Sequence, residues 1–167
     1  MPKKVLVTSS ALVLLLTCIA LAQNAAQKGI LKPTELKTLI PPNYFFAGKT
    51  PTVQLRNSAG VRLANNKVVL AALVDTGGYS TAIQEKYQGL FITESLIKIE
   101  DTELKPGAYG FGFAQGKFLI MDVGANDVLS VGAHHDDNLQ RAVPLKIVEQ
   151  DGGYRLYGGK NFVSIKQ

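Results

Sequence analysis

The stretch "GAYGFGFAQGKFLIM", residues 107–121, shows the periodicity that decides the fold of this chain. Successive side chains of a β-strand point to opposite faces of a sheet, so Tyr109, Phe111 and Phe113 share one face and small residues occupy the other. After the glycine-containing turn that follows, "KFLIM" starts a second apolar run. The stretch therefore predicts two β-strands joined by a turn.

Short apolar runs with the same period continue from Thr52 to the end of the chain, and Gly, Asn and Asp residues separate them. We expect a turn at residues 57–60. The alternation of apolar and polar residues changes phase at Glu94-Ser95, which indicates either one strand with a bulge or two separate strands. About nine short strands at this spacing predict a single all-β domain over residues 51–167. Its antiparallel strands would form a sandwich or a barrel.

One or two short helices are expected beside the strands. The segment "KPTELKTLIPP", residues 32–42, predicts a short helix. Its first proline lies near the start, where a helix tolerates proline, and its last two prolines would end the helix. In "STAIQEKYQG", Thr81 and Gln84 have the spacing of a capping box, and Gly89 is placed to end a second helix. The first helix belongs to residues 23–50, an N-terminal arm whose apolar segment "NYFFAG" can pack on the core or on a partner.

Residues 1–22 have the pattern of a signal peptide. Lys3 and Lys4 precede an apolar run over residues 5–19, and residues 20–22 (Ala-Leu-Ala) match an A-x-A cleavage site. A membrane anchor is the alternative, but the run is shorter than the roughly 20 apolar residues that a spanning helix needs. We therefore expect export to the periplasm or the extracellular space, with no transmembrane segment after cleavage.

Cys18 is the one cysteine of the chain and lies within this segment. A lipoprotein signal would place a small residue directly before it, and Thr17 fits that pattern poorly, so lipid attachment is the less favoured alternative. The exported part would have no disulfide and would depend on a packed core for its stability. The formal net charge of +5 is scattered without interleaved aromatic residues, which argues against nucleic acid as a partner.

The strand "KVVLAALV" runs into Asp75-Thr76-Gly77, the tripeptide with which aspartic proteases present a catalytic carboxylate. With one such motif, the chain would need a homodimer in which two Asp75 carboxylates share a proton. Residues 73–77 resemble the active-site turn of the retroviral-type family, but Gly78 departs from its pattern and a matching apolar-apolar-Gly segment is missing. A turn at a strand end is the simpler interpretation, so Asp75 is kept as an alternative catalytic residue.

The first candidate for ligand binding is the glycine face of residues 107–114. Glycines weaken a strand unless another group must approach its backbone closely, so Gly110 and Gly112, with Tyr109 beside them, could receive a ligand. The alternative is that the aromatic side chains belong to the core, while the arm or the second helix covers the glycines.

The second candidate is "GAHHDDN", residues 132–138, which holds both histidines. Its polar composition predicts a solvated loop, in which His134, His135 and Asp136 would form a contact surface. Adjacent side chains on a strand point to opposite faces and a third ligand is not evident, so we expect no metal site. No cofactor is expected either.

A longer stretch, "IKIEDTELKPGAYGFGFAQGKFLIMDVGANDVL", followed by "PLKIV" and "YRLYGGKNFV", resembles a group of uncharacterised exported bacterial proteins. The resemblance spans residues 53–165. The residues that carry it are Leu104, Pro106, Gly107, Tyr109, Asp122, Gly124, Tyr154, Arg155 and Tyr157. It implies an exported β-domain and no particular activity.

These signals predict an exported, non-catalytic binding or interaction module rather than an enzyme. Its partner would be a component of the cell envelope, an apolar ligand or another protein. Two alternatives stay open: a homodimeric aspartic protease that uses Asp75, and a purely structural protein of the cell envelope.

Overall fold

A computed structural model describes residues 27–167, which form two antiparallel β-sheets packed face to face. The predicted all-β class is confirmed, and of the two predicted architectures the chain adopts the sandwich. The predicted signal segment, residues 1–22 including Cys18, lies outside the described residues. Within residues 27–167, no helix is both long and apolar enough to cross a membrane.

The chain forms more strands than the sequence predicts, because two pieces of two residues and two of three residues are added to the longer runs. In chain order the strands are β1 (Gly29–Ile30), β2 (Val53–Arg62), β3 (Val68–Val74), β4 (Gly89–Thr93), β5 (Ile97–Ile99), β6 (Thr102–Leu104), β7 (Gly107–Ala114), β8 (Lys117–Met121), β9 (Asp127–Gly132), β10 (His134–His135), β11 (Val143–Gln150), β12 (Gly153–Gly159) and β13 (Asn161–Lys166). The helices are α1 (Pro33–Leu39) and α2 (Thr81–Gln84). The larger sheet has the order β1-β2-β3-β4-β7-β8-β9, and the smaller has the order β11-β12-β13-β5-β6, with β10 also paired to β13.

The space between the sheets holds the main hydrophobic core. The larger sheet contributes Phe91, Phe111 and Phe118, whose ring centres lie 5.8 to 6.4 Å apart. The smaller sheet contributes Leu156 and Ile165 among others. All five side chains are fully buried, so the aromatic face of β7 is a core face.

The N-terminal arm covers the opposite face of the larger sheet and creates a second core. Leu36 of α1 and Phe46 are buried there beside Leu70 and Leu90. Because β3 lies between the two cores, its sequence is a nearly continuous apolar run rather than an alternating one. The arm is also joined to the sheet by hydrogen bonds, since β1 pairs with β2.

The turn predicted at residues 57–60 is wrong, because β2 continues through it with a shift in its register to β3. Gly60 serves close packing within the strand: a Cβ there would lie 2.8 Å from side-chain carbons of both Leu36 and Leu70. The later phase slip separates β4 from β5, and these strands belong to different sheets. The slip therefore marks the point where the chain crosses from one sheet to the other.

Helix α1 forms within the stretch predicted for it and ends before Pro41, whose ring cannot continue the helical hydrogen bonds. At its start, the Lys32 N–H donates to the Glu35 carboxylate at 3.0 Å. An acidic side chain in the first turn also complements the helix dipole.

The capping box predicted for α2 is wrong. Ser80 is the N-cap residue, and the Gln84 Nε2 group instead donates to the carbonyl oxygens of Thr76 and Tyr79, at 3.0 and 2.9 Å. Gly89 begins β4 rather than ending the helix, which stops one turn after it starts. The Gln84 side chain, which the spacing predicts as part of a cap, thus connects the helix to the preceding turn.

Candidate ligand-binding cleft

A cleft of about 460 Å³ opens at one end of the sandwich, between the ends of the two sheets. It lies beside the last residues of β3 and β7 and the junction of β12 with β13. Its volume is within the range of roughly 300–1,000 Å³ that is usual for small-molecule sites. The lining residues are Gln54, Leu73, Val74, Thr76, Gln84, Tyr87, Gln88, Phe113, Pro144, Gly158, Gly159 and Asn161.

Phe113 forms an aromatic wall of the cleft and is held at both its backbone and its ring. The Gln88 side chain makes two hydrogen bonds with the backbone of Phe113, donating from Nε2 to the carbonyl and accepting the N–H at Oε1, each at 3.0 Å. The ring lies over the bare backbone of Gly158, where a Cβ would come within 2.6 Å of it. The ring centre of Phe118 is 4.9 Å away. This aromatic surface is therefore held in place by contacts within the protein.

Thr76 and Gln84 contribute polar groups to the cleft. The two hydrogen bonds that Gln84 Nε2 donates connect α2 to the turn after β3, and they use the nitrogen of the amide. Within residues 27–167, the Gln84 Oε1 atom and the Thr76 Oγ1 atom make no hydrogen bond. An acceptor oxygen and a hydroxyl group of the lining thus have no partner among the described residues.

Asn161 begins β13 and lines the side of the cleft formed by the smaller sheet. It pairs with His135 in the register of β10 and β13, and the His135 Nδ1–H donates to Asn161 Oδ1 at 2.8 Å. This contact uses the oxygen of the amide. The Asn161 Nδ2 donor has no hydrogen-bond partner in the part of the chain that the structure describes.

The cleft is uncharged, since no Asp, Glu, Lys, Arg or His is among its lining residues. Its titratable side chain is Tyr87, which is fully buried with its ring stacked on Phe46 at 3.8 Å. Burial, to which the nearby hydroxyls of Tyr79 and Tyr44 add, raises the pKa of Tyr87 far above its ordinary value. Tyr87 is therefore neutral at physiological pH.

Asp75 lies next to the cleft but outside its lining. It is exposed, and its Oδ1 atom accepts a hydrogen bond from the Gly77 N–H at 3.0 Å, which closes a short turn after β3. A smaller hollow of about 270 Å³ beside it is lined by Lys49, Thr52 and Tyr79 among others. The Asp-Thr-Gly motif thus links β3 to α2, as the strand-end interpretation expects.

The space beside Gly110 and Gly112 is filled by the protein itself. A Cβ at Gly110 would collide with the ring of Phe46, and one at Gly112 would collide with the carbonyl oxygen of Lys86. Tyr109 is half-buried, and its hydroxyl donates to a backbone carbonyl in the preceding loop. The pocket that the sequence suggests against this face has no room for a ligand, because the arm and the segment after α2 occupy it.

His134 and His135 form β10 rather than the predicted loop, because they pair with β13. His134 stacks on Phe162 with 5.1 Å between ring centres, while Asp136 accepts a hydrogen bond from the Tyr157 hydroxyl at 2.9 Å. Of the three candidate residues, His135 adjoins the cleft. Among residues 27–167, no group of three or more His, Cys, Asp and Glu side chains converges as a metal site.

Sequence reasoning missed the amide side chains that shape the cleft. No local spacing distinguishes the amides that meet in space from those in exposed turns. The three stretches singled out from the sequence nevertheless converge here, since Thr76 and Phe113 line the cleft and His135 binds a lining residue. The missed residues are Gln54, Gln84, Gln88 and Asn161.

The fold and the cleft together define a β-sandwich with an open, uncharged site between the ends of its sheets. Comparison with protein-family models, with curated proteins and with solved structures finds no match to the chain. The resemblance to exported bacterial β-proteins therefore stays a prediction, and the function is argued from geometry and chemistry.

Proposed function

We propose that the protein is an exported, non-catalytic binding module that holds its ligand in the cleft between the sheet ends. The observation that carries this proposal is an uncharged cleft in which unpaired hydrogen-bonding groups surround an aromatic wall. Apolar walls with a few placed polar groups are the usual composition of small-molecule sites.

The rigidity of the walls supports the proposal. Gln88 holds the backbone of Phe113, and Gln84 holds the turn after β3. On the opposite side, His135 fixes the amide of Asn161. Because these side chains are already ordered, a ligand that enters the cleft would lose less conformational entropy on binding.

The chemistry of the lining favours binding over catalysis. General acid–base and nucleophilic mechanisms need a titratable side chain within hydrogen-bond reach of the reacting group. The lining offers the Thr76 hydroxyl, with no basic side chain beside it among the lining residues. The Asp75 carboxylate that a protease would need is outside the lining and already accepts the Gly77 N–H.

Export rests on the signal-peptide pattern of residues 1–22. A protein outside the cytoplasm would meet components of the cell envelope, and the polar lining favours a component with hydrogen-bonding groups over a purely apolar ligand. The neutral lining also distinguishes this site from the basic surfaces that bind nucleic acid.

A thermal-shift screen of the purified full-length protein tests the proposal. The probes are maltotriose, the trimer of N-acetylglucosamine, N-acetyl-trialanine amide, and vesicles of phosphatidylethanolamine with phosphatidylglycerol. We expect at least one probe to raise Tm saturably, since a ligand at 100 times its Kd stabilises the native state by about 2.7 kcal/mol. The shift should shrink in Thr76→Val and Asn161→Ala, which each remove one unpaired group of the cleft.

Matched controls lie outside the cleft. Thr102→Val and Asn138→Ala make the same chemical changes at exposed positions and should keep the full shift. If no probe raises Tm, the purely structural alternative is favoured. If the cleft variants respond like the controls, the ligand binds at another surface and the proposed site is wrong.

A further inference from the structure

We infer that the cleft binds a neutral saccharide, an inference that rests on the proposed function and adds the class of ligand to it. The juxtaposition behind it is that the residues of three unpaired groups, Thr76 Oγ1, Gln84 Oε1 and Asn161 Nδ2, line the same cleft as the aromatic ring of Phe113. The three residues that carry a hydroxyl, an acceptor and a donor thus line one space of about 460 Å³.

The lack of charge in the lining selects against ionised ligands. A phosphate, carboxylate or ammonium group that entered the cleft would lose its water of hydration without meeting an opposite charge among the lining residues. Free amino acids, phosphorylated metabolites and charged lipid headgroups are therefore disfavoured.

The three unpaired groups select against purely apolar ligands. An acyl chain laid over them would remove them from water without replacing their hydrogen bonds. A sugar hydroxyl both donates and accepts, so neighbouring hydroxyls on one ring can satisfy a donor, an acceptor and a hydroxyl together. The C–H surface of the same ring can pack against Leu73, Phe113 and Pro144.

A peptide is the other common neutral ligand that carries donors and acceptors. Proteins often bind an extended peptide along a strand edge, where backbone groups pair in a row. The three unpaired side-chain atoms lie on separate elements: the turn after β3, helix α2 and the start of β13. Their arrangement fits a compact ring with hydroxyls in several directions better than an extended backbone.

Titration of the ¹⁵N-labelled full-length protein, followed by NMR, tests the inference at single groups. The probes are maltotriose and the N-acetylglucosamine trimer, with the galacturonate trimer as a charged trisaccharide and N-acetyl-trialanine amide, whose ends carry no charge, as a neutral peptide. We expect at least one neutral trisaccharide to shift the side-chain amide signals of Gln84 and Asn161 saturably. The galacturonate trimer should bind at least ten-fold more weakly.

Variants then separate recognition from folding. Thr76→Val and Asn161→Ala should raise the Kd for the bound trisaccharide at least ten-fold, while Thr102→Val keeps the Kd of the parent protein. Unchanged backbone spectra away from the cleft show that each variant is folded. A Kd that neither cleft variant changes would overturn the inference.

The failure of the inference can be told apart from the failure of the proposed function. If N-acetyl-trialanine amide or the galacturonate trimer shifts the cleft amides and the neutral trisaccharides do not, the neutral-saccharide class is wrong and the binding module stands. If none of the probes, the vesicles of the thermal screen included, shifts the amide signals of the cleft, both are overturned.

Discussion

At the scale of single residues, two glycines of β7 show how the missing side chain sets the distance between layers. The ring of Phe46 reaches the backbone at Gly110, and the carbonyl oxygen of Lys86 reaches it at Gly112. On the opposite face of the same strand, Phe111 is fully buried between the sheets. The glycine face of β7 therefore packs against the arm and the segment after α2, and its aromatic face packs in the core between the two sheets.

Alanine substitutions at three glycines should rank by what the new Cβ meets. Gly112→Ala should destabilise most, because the carbonyl of Lys86 is a backbone atom, and Gly110→Ala less, because the ring of Phe46 can shift. Such overpacking typically costs about 1–3 kcal/mol. Gly132→Ala, with nothing within 4 Å, should leave the free energy of unfolding unchanged or raise it slightly. Urea denaturation measures all three, and equal values would contradict the ranking.

Two tyrosine hydroxyls in the second core should respond to removal in opposite ways. The Tyr87 hydroxyl is buried without a hydrogen-bond partner in the described chain, so Tyr87→Phe should raise the free energy of unfolding by about 1 kcal/mol. The Tyr79 hydroxyl donates to the Phe46 carbonyl at 2.8 Å, so Tyr79→Phe should lower it by about 1 kcal/mol. Chemical denaturation of both variants and of the parent protein measures these changes. Changes of the same sign in the free energy of unfolding would contradict the prediction.

The buried hydroxyls of Tyr87 and Tyr44 make stability depend on alkaline pH. Burial raises the pKa of Tyr87, and it raises that of Tyr44 to about 12, with Asp122 and two tyrosines contributing. An unfolded chain loses these protons near pH 10, so these two groups leave the free energy of unfolding independent of pH below about pH 10 and lower it as pH rises toward the folded-state pKa values. The free energy of unfolding should thus fall less steeply between about pH 10 and 12 in Tyr87→Phe than in the parent protein.

At the scale of elements, the arm belongs to the fold because alternate residues of its apolar segment turn inward. Tyr44 and Phe46 are buried in the second core, while Phe45 between them is 55% exposed. Backbone hydrogen bonds hold this segment, among them one from the Ala47 N–H to the Val123 carbonyl at 2.7 Å. The segment packs on its own sheet and leaves one aromatic ring at the surface.

The neighbouring phenylalanines of the arm offer a matched pair of substitutions. Phe46→Ala should lower the free energy of unfolding by about 3–5 kcal/mol, because it opens a cavity against Gly110 and removes the stacking with Tyr87. Phe45→Ala should change it by less than about 0.5 kcal/mol, as exposed substitutions usually do. Chemical denaturation of the two variants tests the arm as a part of the core. Similar effects of the two would mean that the arm is detached in solution.

At the scale of the whole molecule, the layers explain where the cleft lies. The arm covers one face of the larger sheet and the smaller sheet covers the other. The uncovered space is at the end of the sandwich, where β3, β7 and β13 approach one another without filling the gap. A site in this place takes its lining residues from several segments that are far apart in the chain.

Export is the prediction that belongs to the chain as a whole. Expression of the full chain in a bacterium should give an exported product that begins at Gln23, as intact mass spectrometry would show. Leu14→Arg should block export by interrupting the apolar run of the signal segment. Cys18→Ser should leave the product unchanged, whereas a lipid-modified product that begins at Cys18 would contradict this cleavage site.

Part of the candidate site could be predicted, because turn and strand signals are local. The Asp75 turn followed from a strand that ends in favoured turn residues, and the aromatic face of β7 followed from its period of two. The amides of Gln84 and Asn161 could not be predicted, since their partners are set by how helices and strands dock. The loop predicted for His134 and His135 was wrong for the same reason, because their pairing with β13 depends on where a distant strand lies.

By itself, the sequence determined the all-β class and the end of α1, because alternation and proline act on the backbone within a few residues. The tertiary structure alone decided that Gly60 lies within a strand, that the arm covers Gly110, and that Thr76 and Asn161 share a cleft. These outcomes depend on contacts between segments far apart in the chain. Such contacts form only where layers pack, and no local period in the sequence records them.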